Sequence, residues 1–113
     1  MFSRARHPIF VLDPDRDAVR YANRCACLLL GYDVGELIAL PASAVFWAEE
    51  RALEPFLDAI VKQGDGWATN FRLRAKPGTL LPAELLGCRF RSDGQSYVLV
   101  LANTRRPRQG RSI

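Results

Sequence analysis

Reactive side chains are sparse in these 113 residues. His7 is the single histidine, and Cys25, Cys27 and Cys88 are the only thiols. Histidine and cysteine together can ligate a metal, but a C-x-C pair with one distant cysteine and a terminal histidine lacks the spacing of a zinc site. Positions two apart on a helix face different ways, so Cys25 and Cys27 do not converge on one ion. An odd cysteine count without a secretory signal argues against a disulfide framework, and buried structural thiols are the expected role. No serine or cysteine pairs plausibly with a histidine, no glycine loop cradles phosphate, and no carboxylates cluster at metal spacing. The expectation is therefore no catalytic residue, no metal site and no enzymatic activity in this chain. Glu84 stands out as a charge on an otherwise apolar strand face; it either pairs with Arg72 or Arg74 across the neighbouring strand or contacts a ligand.

The elements that position these side chains are legible from period and punctuation. Ile9-Phe10-Val11-Leu12 is a short apolar run stopped by Asp13-Pro14-Asp15, and residues 18–22 are close enough to pair with it as a hairpin. Asn23 can cap a helix over 24–30 that Gly31 ends, and Asp33 with Glu36 has the spacing of a capping box. Pro41 interrupts, and 42–47 carries no assignable pattern. Over 48–63, Leu53, Phe56, Leu57 and Ile60 follow helical spacing, while Pro55 predicts a kink or a late start. From Trp67 onward the period is two: Trp67, Thr69, Phe71 and Leu73 share one strand face. Glu84, Leu86, Cys88 and Phe90 alternate with Leu85, Gly87, Arg89 and Arg91, and 97–102 is the last strand. Turns fall at 76–79 and 92–95. Strands 9–12 and 97–102 are apolar on both faces and so belong at the centre. The expected fold is α+β, a five-stranded antiparallel sheet in spatial order 2-1-5-4-3 with helices on one face.

With 49% hydrophobic and 25% charged residues, the chain suits one folded domain. No apolar run approaches the ~20 residues of a membrane span. Asp13, Asp15 and Asp17 follow the first apolar run too soon for a signal peptide, so a cytoplasmic setting without a membrane partner is expected. The expected boundaries are a lead over 1–7, a domain over 8–104 and a basic tail or linker over 105–113. The net charge of +4 belongs to the ends: Arg4 and Arg6 precede the patterned region, and Arg105, Arg106, Arg108 and Arg111 follow it. A nucleic-acid groove requires basic residues on folded elements interleaved with aromatics, so nucleic acid is not an expected partner of this domain.

The stretch PIFVLDPDRDAVRYANRCACLLLGYDVGEL resembles the opening of a PAS domain. That family runs strand, D-x-x-G-type turn, strand, then a Y-x-N-x-A-like helix ending G-Y-x-x-x-E-L, matched here at Tyr21, Asn23, Ala26, Gly31, Tyr32, Glu36 and Leu37. FRLRAKPGTLLPAEL is similar to the family's strand, basic-plus-glycine turn and strand, at Phe71, Arg74, Lys76, Gly78, Pro82 and Glu84. The resemblance covers 8–104 and agrees with the strand order above. It implies a sensory or dimerisation module of a bacterial signal-transduction or transcription-regulating protein, acting with an effector domain or partner protein. In haem-binding members the iron ligand is a histidine on or near the long helix, and His7 is elsewhere. Blue-light members carry a flavin-reactive cysteine before the long helix, and 38–47 contains none. Neither haem nor covalent-adduct flavin is expected, while a non-covalent ring could lie between Trp47 and Trp67. The family's Asp-x-Thr relay after the last strand also departs here, reading Asn103-Thr104.

Two functional classes follow. A small apolar ligand would occupy a pocket between the long helix and the inner sheet, lined by Phe46, Phe56, Leu57, Ile60, Trp67, Phe71, Leu73, Leu86 and Cys88. Alternatively those side chains fill the core, and the module works by protein association alone. In either case the sheet's outer face needs a cover. Ile9, Val11, Val98 and Val100, with Phe2 from the lead, form the expected apolar strip, and a second copy of the chain is the expected partner.

Overall fold

The computed structural model describes residues 7–49 and 52–104. Its elements run β1 (Ile9–Asp13), β2 (Ala18–Ala22), α1 (Arg24–Leu30), α2 (Val34–Ile38), α3 (Ala42–Val45), β3 (Phe46–Trp47), α4 (Leu53–Gln63), β4 (Asp65–Arg74), β5 (Leu80–Ser92) and β6 (Gln95–Thr104). All strand pairs are antiparallel, in the order β2-β1-β6-β5-β4-β3. This is the expected arrangement with one short strand added at the edge. Two residues are too few for a period, which is why β3 is silent in the sequence; its pairing of Phe46 with Leu73 and Trp47 with Arg72 defines it.

Side chains set the N-terminal half. Asn23 Oδ1 accepts from the Ala26 amide at 2.9 Å, capping α1, and from the Ile9 amide at 3.0 Å. One amide group thus ties the start of the helix to the start of the central strand. Gly31, at φ +83°, ends α1 in the left-handed conformation that glycine adopts without strain. Asp33 and Glu36 form the capping box of α2. Asp17 accepts from the Ser43 amide at 2.9 Å and from its hydroxyl at 2.6 Å, fixing α3 against the β1–β2 connection. The long helix starts late, at Leu53. Pro55 therefore falls in its first turn, where a missing N–H breaks no helical bond.

The core lies between the helices and one face of the sheet. Phe10, Leu12, Leu30, Leu37, Ile60, Leu73, Leu85, Val98 and Val100 are all fully buried. Phe10 and Phe46 meet edge-to-face with ring centroids 4.9 Å apart. In β4 the pairing moves from Ala68–Leu85 to Phe71–Ala83, so β4 spends one more residue than β5 across this interval. That bulge reverses which side chains point inward along β4.

Candidate functional site

Six of the expected pocket residues do come together. Phe46, Leu57, Ile60, Phe71 and Leu73 are buried, and half-buried Phe56 meets Phe71 with centroids 5.4 Å apart. Trp67, Leu86 and Cys88 do not join them. Trp67 is 64% exposed and Leu86 54% exposed, and Cys88 is exposed too. The bulge gives the physical reason: Trp67 alternates with Phe71 only if β4 is regular, and the extra residue puts it on the opposite face. Its register partner Leu86 goes with it, and Cys88 follows two residues on. Their inward places are taken by Gly66, Leu85 and Gly87. A Cβ at Gly87 would lie 2.6 Å from Ile60 Cδ1, and one at Gly66 would lie 2.7 Å from Ile60 Cγ1. Ile60 is seated directly over these two glycines, so α4 and the sheet are in close contact where a pocket was expected.

The same alternation corrects the outer strip. Register pairs Phe10 with Val100 and Leu12 with Val98, and all four are fully buried. Val98 and Val100 are core residues, whereas Ile9 and Val11 do lie on the outer side, opposite Leu101 and Leu99. Phe2 lies outside the described residues, as does the 105–113 tail. A strand apolar on both faces offers no polarity to say which side meets the helix, and on β6 it is Val98 and Val100 that turn inward. The outer face carries Ile9, Val11 and Tyr21 on the β1–β2 hairpin, Trp67 on β4, Leu86, Cys88 and Phe90 on β5, and Tyr97, Leu99 and Leu101 on β6. Five of the eight large hydrophobics that are exposed among the described residues belong to this face: Tyr21, Trp67, Leu86, Phe90 and Leu99. Phe90 and Tyr97 stack at 5.5 Å, and the Arg72 guanidinium lies 5.4 Å from the Trp47 ring centre. The missed signal was small residues: Gly66 and Gly87 mark the side that α4 approaches, so their neighbours Trp67 and Leu86 must face away.

Charged groups serve the frame. Asp13 is fully buried at the end of β1. It accepts from the Asp15 and Arg16 amides at 3.1 and 3.3 Å and from Gln95 Nε2 at 2.9 Å, joining the first turn to the β5–β6 hairpin. Burial pushes its carboxyl up, but the hydrogen bonds from Gln95, Arg16 and Asp15 outweigh that and hold it below the usual range. Glu36 accepts from Lys76 Nζ at 2.6 Å, which lowers the Glu36 carboxyl and raises the Lys76 ammonium. Burial, aided by the Asp33 carboxylate, raises the Cys27 thiol away from the reactive thiolate. Glu84 is half-buried on the outer face, opposite Asn103 in register. An open concavity of about 620 Å³ lies at the far end of the sheet, between Pro14–Arg16, Val61 and Gly94–Ser96, away from the expected pocket. Among the described residues no cluster of His, Cys, Asp or Glu could hold a metal ion, and no helix is long and apolar enough to cross a membrane.

A family model described as PAS domain matches residues 6–105. The chain belongs to the PAS domain family. Solved PAS domains share its fold at low identity. The PAS domain of a two-component sensor histidine kinase is 16% identical, with a TM-score of 0.77 over 92% of this chain and 89% of that one. That of an HTR-like protein from Haloarcula marismortui is 18% identical, with a TM-score of 0.78 over 92% and 85%. That of nitrogen regulation protein NR(II) from Vibrio parahaemolyticus is 18% identical, with a TM-score of 0.70 over 90% and 92%. No curated protein matches by sequence. In this PAS domain the resemblance motif is structural: Asn23 ties α1 to β1, Glu36 completes the capping box of α2 and holds Lys76, and Gly31 ends α1.

Proposed function

We propose that this PAS domain is a regulatory module of a signal-transduction protein that works by association through the outer face of its sheet, with its interior filled by its own side chains. The observation that carries this is the division of apolar residues across the sheet. Inside, Ile60 occupies the space over Gly66 and Gly87 that a ligand would need. Outside, Trp67, Leu86, Phe90 and Leu99 are exposed on adjoining strands of one face. Contiguous exposed apolar surface marks an interaction site. The occupant we assign is a second copy, packed with two-fold symmetry so that each copy's apolar face covers the other's. Output would pass to an effector domain or partner protein through the strands that end at the sheet margin. Neither haem nor a photoreactive flavin is part of this reading, and the purified protein is expected to show no Soret band and no flavin band that bleaches in blue light.

Light scattering across a concentration series tests the association. Wild type is expected to give a mass rising from monomer to dimer, and Leu86→Lys or Leu99→Lys to hold it at the monomer while the melting temperature is kept. A strict monomer at high micromolar concentration in wild type overturns the reading. So does a dimer that both lysine variants leave intact.

A further inference from the structure

One stretch of the sheet margin carries backbone groups that no other strand uses. β4 pairs with β5 on one side, but on its other side β3 meets it only at Arg72 and Leu73. The Gly64 carbonyl accepts from the Arg89 amide at 2.8 Å, and the register continues with Gly66 opposite Gly87 and Ala68 opposite Leu85. Backbone bonding alternates along an antiparallel strand. Gly64, Gly66 and Ala68 therefore turn their N–H and C=O groups to β5, and Asp65 and Trp67 turn theirs to the open side. Among the described residues no backbone partner reaches those groups. An unpaired edge is a template for a further strand, and folded proteins usually blunt it with lysine, proline or a cover. Residues 65–70 contain neither lysine nor proline. The bulge after Ala68 confines the regular open stretch to 65–68, and β3 closes the edge beyond it.

Side chains along this edge decide what fits. Asp65 and Trp67 are exposed on the outer face, opposite Cys88 and Leu86 in register, and no ion pair among the described residues uses Asp65. On the inner face Gly66 has no side chain, and the half-buried Phe56 ring comes within 3.6 Å of where its Cβ would be. An antiparallel strand laid here meets an aromatic ring on each of its faces. At its C-terminal end it meets a carboxylate without a cation.

We infer that the open edge of β4 takes up a short extended segment of a partner protein as an added antiparallel strand. The segment carries one apolar side chain opposite Trp67, another opposite Gly66, and a lysine or arginine opposite Asp65. A second copy of this edge is the poorer fit. The cations of β4, Arg72 and Arg74, stand at and beyond the β3 pairing, so no self-pairing of the open stretch sets one opposite Asp65. The bonding groups lie in the plane of the sheet and not on its outer face, so strand addition and outer-face association stand or fall independently.

The probe is a fluorescein-labelled peptide, Ser-Thr-Val-Tyr-Val-Lys-Ser, whose tyrosine and lysine lie opposite Trp67 and Asp65. Anisotropy is read at up to about 0.5 mM protein, with the whole chain as wild type and as Leu99→Lys. Saturable binding is expected to both. Methylating the tyrosine amide nitrogen, which faces the Trp67 carbonyl, should abolish it; methylating that of the second valine, which faces away, should leave it within a few-fold. Asp65→Lys should weaken binding by about two- to five-fold, and a peptide with glutamate in place of lysine should recover it. Amide hydrogen exchange needs no variant: the Asp65 and Trp67 amides should gain protection when the peptide is added. The inference is overturned by no binding, by binding that tolerates tyrosine N-methylation, or by unchanged exchange at Trp67. It is also overturned by binding lost in folded Leu99→Lys, which would put the peptide on the outer face, and by a Leu99→Lys dimer that the peptide dissociates, which would give the edge to a second copy. Mass by light scattering on the same samples separates these results from the association reading, whose failure would leave wild type monomeric and still able to bind the peptide.

Discussion

The contact of Ile60 with two glycines can be dissected atom by atom. Adding a methyl at Gly87 brings it within 2.6 Å of Ile60 Cδ1 and 3.3 Å of Val98 Cγ1. Overpacking of this kind costs about 1–3 kcal/mol, offset by about 0.4–1 kcal/mol because alanine has less freedom than glycine in the unfolded chain. Gly87→Ala should therefore destabilise by about 1–2 kcal/mol. Ile60→Val removes Cδ1 and should cost about 0.5–1.5 kcal/mol alone. Combined, the two should cost less than their sum by about 1 kcal/mol, because the valine lacks the atom that the new methyl strikes. Gly66→Ala is the internal control. Its methyl would lie 2.7 Å from Ile60 Cγ1, and valine still has a carbon there, so Ile60→Val should relieve it much less. Urea unfolding with a common m-value reads all six proteins. Additivity within about 0.3–0.5 kcal/mol for Gly87→Ala with Ile60→Val would refute the seating of Ile60 and, with it, the filled interior.

Three further outcomes follow from named contacts. Phe71→Ala should cost about 3–5 kcal/mol, whereas exposed Trp67→Ala should change monomer stability by less than about 0.5 kcal/mol; equal losses in thermal unfolding would mean that the bulge does not separate their faces. Asn23→Ala should cost about 1–2 kcal/mol by removing the α1 cap and the acceptor for the Ile9 amide, and Asn23→Asp, which keeps the accepting oxygen, should cost less in the same assay. Asp13 has a lowered pKa in the folded state, so its contribution is present above the unfolded value near 3.9 and is lost as pH falls through the folded one. Stability measured by urea titration should fall below about pH 4, and Asp13→Ala should cost about 1.5–3 kcal/mol at neutral pH while flattening that acid limb.

Local chemistry determined a large part of this protein from sequence alone. The Asn23 cap, the Asp33–Glu36 box, the Gly31 terminator and the turns at 76–79 and 92–95 each involve residues a few positions apart, so their types suffice to place them. The strand order was also legible, because runs apolar on both faces can be covered only at the centre of a sheet. Which face each residue took was a different matter. Alternation of period two has no sign of its own, and one extra residue between Ala68 and Phe71 reverses it, so Trp67, Leu86 and Cys88 could be told from core residues only once α4 was packed against Gly66 and Gly87. On β6, Val98 and Leu99 are equally apolar, and pairing with β1 under the helices decided between them.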